Sequence, residues 1–158
     1  MSEATDLVSA TAAVVSAIAT AIAAAGVWYA HRQLHTSRQI AQLQFEDALA
    51  KEYRELANRL PTKLLLGESL DHIEFPKAFD ELYRYMDLSN EQVCLRQRGR
   101  ISAEVWKNWS EGIETNLQLP AFAKAWTDIK ACSRSFQELR RFEREWFQTD
   151  PQSWSAPV

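Results

Sequence analysis

Few side chains in this sequence could do chemistry, and their spacing limits what it would be. His31 and His35 lie four positions apart, which puts two imidazoles on one face of a helix, as zinc ligands require. The residue after the first is Arg32, not the glutamate that acts as general base in the helical zinc-protease motif. Two imidazoles fill only half a zinc shell, so the pair is a weak metal candidate, and a polar headgroup-zone role is expected instead. His72 stands beside Asp71 and near Glu68 and reads as part of a solvated loop. Cys94 and Cys132 are 38 positions apart, outside any paired metal spacing, and read as reduced thiols on helices. The four glycines, at 26, 67, 99 and 112, are isolated, so no phosphate-cradling loop or dinucleotide fingerprint can be built. No GxSxG elbow occurs. Catalysis and a cofactor are therefore not expected. Glu91, Glu104 and Asp128 would reopen an enzyme reading only if facing helices gathered them in an apolar pocket.

Two groups of arginines remain. Arg96, Arg98 and Arg100 cluster just before a turn. At a helix C-terminus they complement the dipole, and they are also the candidate site for an anion, either acidic lipid or a phosphorylated or acidic partner. Arg140, Arg141 and Arg144 alternate with Glu138, Glu143 and Glu145, the pattern of a solvated, salt-bridged face. The net charge of −3 gives no basic field, and no nucleic-acid partner is expected.

The elements that must position these residues begin with an uncharged segment. Residues 7–30 are 24 positions without a charge, following a short tail at 1–6 that holds Glu3 and Asp6. A helix of that length spans ~36 Å, enough for a ~30 Å hydrocarbon core. The composition is mild: ten Ala, four Ser or Thr and seven Leu, Val or Ile. The seven contribute only ~0.3–0.6 kcal/mol each to insertion. A cleaved signal fits less well, because acids stand where its basic residues belong; a soluble Ala-rich helix inside an assembly is the third reading. Arg32 and Arg38 follow the segment and no basic residue precedes it, so the positive-inside rule places the N-terminus outside and the rest in the cytoplasm. Trp28 and Tyr29 fall at the expected interfacial belt. Ala13, Ala17, Ala21 and Ala25 recur every four positions, a small-residue row that lets helices approach closely and predicts self-association.

Between Gly26 and Pro61 nothing breaks a helix, so the spanning helix is expected to continue over 31–60 into the cytoplasm and stop before Pro61. A helical bundle follows over 61–149. Leu64, Leu65 and Leu66 suggest a short turn packed on it. A helix is expected from about Pro76 to Arg98, with Phe79, Leu82, Tyr83 and Met86 on its apolar face and a possible internal capping box at Ser89 and Gln92. RGRISAEVW marks an αα-hairpin turn at 99–102: Gly99 ends one helix, Ser102 caps the next, and Ile101 staples onto Trp106. Pro120 opens a further helix, Ser135 with Glu138 caps the last, and Asp150-Pro151 ends it. Tyr83, Tyr85, Trp106, Trp109 and Trp126 are expected in the core, with a ligand pocket between the helices as the alternative, and 150–158 is expected to be disordered.

The stretches YRYMDLSNEQVCLRQRGRISAEVWKNWSEGI (83–113) and LPAFAKAW (119–126) resemble a family of bacterial membrane-anchored proteins of unknown function, over about a quarter of the chain. The resemblance implies one N-terminal span and a helical cytosolic domain, and brings no catalytic residues. The expectation is therefore an all-α protein of the bacterial inner membrane, single-pass. It would act as a non-catalytic interaction or sensing module, in contact with membrane lipid, forming a homo-oligomer and binding a protein partner. The rivals are a membrane-acting, pore-forming effector and, less favoured, an enzyme with a site in the bundle core.

Overall fold

A computed structural model describes residues 2–154, with side chains at Ser16 and from Thr20 onward. All regular structure among the described residues is helical. The chain divides into two compact units, residues 1–43 and 44–158.

The first unit consists of the N-terminal part of α1 (Ser2–Ala57). Every residue from Thr20 to Ala41 is exposed, including Ile22, Val27, Trp28, Tyr29, Leu34 and Ile40. Among the described residues no helix is long and apolar enough to cross a membrane, so the expected transmembrane helix is not supported. The side chains at 7–15 and 17–19 lie outside the described residues.

The second unit opens with the end of α1, where Glu46, Leu49 and Leu56 are buried. The helix stops at Ala57, and its last turn tightens through the Arg59 N–H to Leu56 O and Leu60 N–H to Ala57 O bonds before Pro61 removes a donor. The leucine run forms α2 (Thr62–Leu65), with Leu64 fully buried. Asp71 then caps α3 (Glu74–Gln97): its Oδ1 accepts from the N–H groups of Ile73 and Glu74, both at 2.8 Å. These bonds, Glu74's first, hold the Asp71 carboxyl below its usual pKa.

α3 is the central helix and packs against α5, α6 and the C-terminal segment. It runs unbroken through Ser89 and Gln92, both buried, so the suspected internal cap is absent. The hairpin turn is as expected. Gly99 has φ +67°, and the Arg100 N–H reaches back to Leu95 O at 2.9 Å, which closes α3 in a left-handed cap. The Ser102 Oγ accepts from the Val105 N–H at 3.3 Å at the start of α4 (Ala103–Gln118). Ile101 and Trp106 are both buried. The glutamate of a capping box would sit at position 105, which is a valine. Glu46, 56 residues earlier, substitutes: its Oε1 accepts from the Ser102 N–H at 2.6 Å.

Pro120 is the first residue of α5 (Pro120–Cys132), which packs on α4. The last helix, α6 (Gln137–Arg144), departs from expectation. Its N-cap is Phe136 at φ +65°, and no side chain caps it; Ser135 instead donates its N–H to the Ser133 Oγ at 3.0 Å. α6 ends at Arg144 rather than at Asp150, because Trp146 and Phe147 both take positive φ. The chain then folds back. Pro151–Ser153 form a 3-10 turn, with Asp150 as its N-cap. Residues 150–154 are thus ordered, correcting the expected disordered tail in that part; 155–158 lie outside the described residues. The core is strongly aromatic. Phe142, fully buried, packs its ring 5.2 Å from both Trp106 and Phe147, and Tyr85 packs 4.8 Å from Phe122. Burying one such side chain contributes about 1.5–3 kcal/mol.

Candidate functional site

The expected site residues are dispersed. His31 and His35 are exposed on α1, and no group of three or more His, Cys, Asp or Glu able to hold a metal exists among the described residues. His72 is exposed in the loop before α3. Of the self-association row, Ala21 and Ala25 are exposed, while the side chains of Ala13 and Ala17 lie outside the described residues. Trp28, Tyr29, Arg32 and Arg38 are exposed, with the Arg32 guanidinium 5.6 Å above the Trp28 ring. Cys94 and Cys132 are free thiols. Glu91 and Glu104 are exposed, and Asp128 pairs with Lys124 at 2.7 Å.

The arginine cluster splits. Arg96 is buried, with Nε and Nη2 on the Asp150 carboxylate at 2.8 and 2.5 Å and Nη1 on Ile101 O at 2.7 Å. Every arm of the guanidinium fork is engaged, so Arg96 is a structural residue and not a free anion site. The same bonds hold the Asp150 carboxyl below its usual pKa. Only Arg98 and Arg100 stay exposed. In the second cluster, Arg140 donates to Ser135 O at 2.8 Å and Ser133 O at 2.6 Å, while Arg141 pairs with Glu145 at 3.0 Å.

The Arg96–Asp150 pair is missed by sequence reasoning because its partners are 54 positions apart and no local pattern links them. The same holds for Trp154, buried with its Nε1 donating to Glu145 Oε2 at 3.1 Å and to Thr149 Oγ1 at 3.0 Å, under the Arg141 guanidinium at 4.4 Å.

A groove of about 340 Å³ lies among the end of α1 and the bodies of α3 and α4. Tyr53, Tyr85 and Trp109 supply aromatic surface, and Ile113 is a buried lining residue. Tyr85 is buried, and burial pushes its hydroxyl up to about 12, against the opposing effect of bonds from Asn116 and Ser89; the phenol stays protonated at any physiological pH. The Asn116 Nδ2 donates to the Tyr85 Oη at 3.0 Å. Gln92 also lines the groove. It is 5% exposed and makes no hydrogen bond among the described residues. Its amide atoms are open to the groove, so a polar group that enters meets an amide whose donor and acceptor are both uncommitted within the protein. From the sequence Tyr85 and Trp109 read as core, with a ligand pocket between the helices as the alternative, while Tyr53, Arg54, Gln92 and Asn116 carried no site reading. The signal available was Gly112, a glycine inside an otherwise regular helix. A second groove, about 250 Å³, is lined by charged side chains including Glu52, Glu55, Arg84, Asp87 and Glu91.

The chain matches no family model, no curated protein and no solved structure.

Proposed function

We propose that the protein is a non-catalytic interaction or sensing module tethered to a bacterial inner membrane. Residues 7–30 would lie in the bilayer with the N-terminus outside, and the helical unit of residues 44–158 would work in the cytoplasm. The observation that supports this reading is the first unit's unpartnered apolar surface: Ile22, Val27, Trp28, Tyr29 and Leu34 are each more than half exposed. Such surface on a single helix calls for lipid or another copy of the same helix to cover it. The uncharged length of 7–30 and the cations Arg32 and Arg38 that follow it favour lipid. The small residues at 13, 17, 21 and 25 would then let two copies associate within the bilayer. Arg98 and Arg100, the exposed cations beside the hairpin turn, are the surface offered to an acidic partner.

Deleting residues 7–30 tests this reading. The intact chain is expected in the membrane fraction and the deleted chain in the soluble fraction. Identical partitioning of the two overturns the tether.

A further inference from the structure

We propose that the groove holding Gln92 is a binding site for a mononucleotide-like ligand, a planar heteroaromatic ring carrying one anionic group. This goes beyond the tethered-module reading and does not depend on it.

The argument starts from Gln92. The residue is 5% exposed, lines the groove and has no hydrogen-bond partner among the described residues, and its amide atoms are open to the groove. A carboxamide offers a donor and an acceptor side by side, and the edge of a nucleobase satisfies both at once. Asn116 commits its amide nitrogen to Tyr85, which leaves its carbonyl oxygen able to accept from the same ring. Tyr53 and Trp109, also on the lining, provide aromatic faces on which a flat ring stacks.

Gly112 is the independent second observation. It lies within α4, where glycine weakens a helix relative to alanine. A Cβ built there would meet nothing within 4 Å. No neighbour in the chain therefore requires the missing side chain. Because Gly112 lines the groove, its absent side chain keeps open the space a ring would fill. Arg54 sets the charge. It is the only ionised side chain on the lining, no acid accompanies it, and it has no ion pair among the described residues. A guanidinium binds a phosphate through two parallel hydrogen bonds. A cationic ligand finds nothing to pair with here.

The experiment is calorimetric titration of the full chain, held in mild detergent, with AMP, GMP, CMP and UMP and with the four parent nucleosides. At least one monophosphate is expected to bind in the micromolar range, about tenfold or more tighter than its nucleoside. Gly112→Leu fills open space and improves helix propensity, so it is expected to keep or raise the melting temperature while abolishing binding. Arg54→Gln is expected to reduce the affinity for the monophosphate to that for the nucleoside. Absence of binding by all four monophosphates overturns the proposal, as does undiminished binding to Gly112→Leu. Equal affinity for nucleoside and nucleotide overturns the role of Arg54 and the anionic part of the ligand class.

Discussion

Two chain reversals in the helical unit share a backbone closure but differ in the residues that carry it. The turn between α3 and α4 is closed by its own backbone: Gly99 in the left-handed region, the Arg100 N–H on Leu95 O and the Ser102 hydroxyl on the Val105 N–H. The segment that follows α6 has a similar backbone closure, with the Phe147 N–H on Phe142 O at 2.9 Å and the Trp146 N–H on Glu143 O at 2.9 Å, but no glycine to carry it. It bends through two aromatic residues at positive φ, Trp146 and Phe147, a conformation that costs about 1–2 kcal/mol each. Distant side chains offset that cost: Asp150 binds Arg96, and Trp154 enters the core against Phe142, with ring centroids 6.4 Å apart. The first reversal has a glycine where the left-handed region is needed, and the second has aromatic residues there that distant side chains hold in place, so the two should fail differently.

The largest effect is expected at Trp154. Trp154→Ala removes a buried aromatic and its two hydrogen bonds, and should cost about 3 kcal/mol in chemical denaturation. A loss near zero would mean that the segment contributes no packing. Next is Asp150→Asn, which leaves the buried Arg96 without its counter-charge. A fully buried pair would lose ~3–5 kcal/mol, and the partial exposure of Asp150 reduces this to about 2. Its pH dependence carries a sign. The folded-state pKa of Asp150 is depressed, so its stabilisation is complete above the unfolded carboxylate value near ~3.9. It is then lost as pH falls through the folded value. Melting temperatures below about pH 4 should fall more steeply for the natural chain than for the asparagine variant; parallel curves would break the linkage.

At the other reversal the losses should be smaller and independent of pH. Gly99→Ala and Ser102→Ala are each expected to cost about 1 kcal/mol, the first through a Cβ at φ +67° and the second through a lost cap. The smallest effect is expected at Trp146, which is 80% exposed. Trp146→Ala should shift stability by less than about 0.5 kcal/mol, which sharpens the contrast with the tryptophan eight positions later.

That contrast also shows what could be read from the residues alone. Helices α3, α4 and α5 were legible because their signals are local: Gly99 at a C-terminus, Ser102 at an N-terminus, Pro120 at a first turn. Trp154 reads as tail because the local pattern extends the last helix to Asp150, where Pro151 stops it. Nothing in the sequence announces that Trp146 and Phe147 adopt positive φ. Arg96 was legible as one of three basic residues near a turn, but its burial depends on an acid 54 positions away. The Glu46 bond to the Ser102 N–H was hidden for the same reason. The groove was half legible: its aromatic residues were marked at helical spacing, but the isolation of Gln92 is visible only once α1, α3 and α4 are packed.

The separation of Arg96 from Asp150 has a consequence in time. A ribosome releases the chain from the N-terminus at about 5–20 residues per second. Some ~3–10 s therefore pass between the emergence of Arg96 and that of its counter-ion. During that interval the cation has water and the Ile101 carbonyl for company, but no carboxylate from residue 150. Desolvating it unpaired is unfavourable, so the ion pair that neutralises Arg96 is gained only after residue 150 has been made.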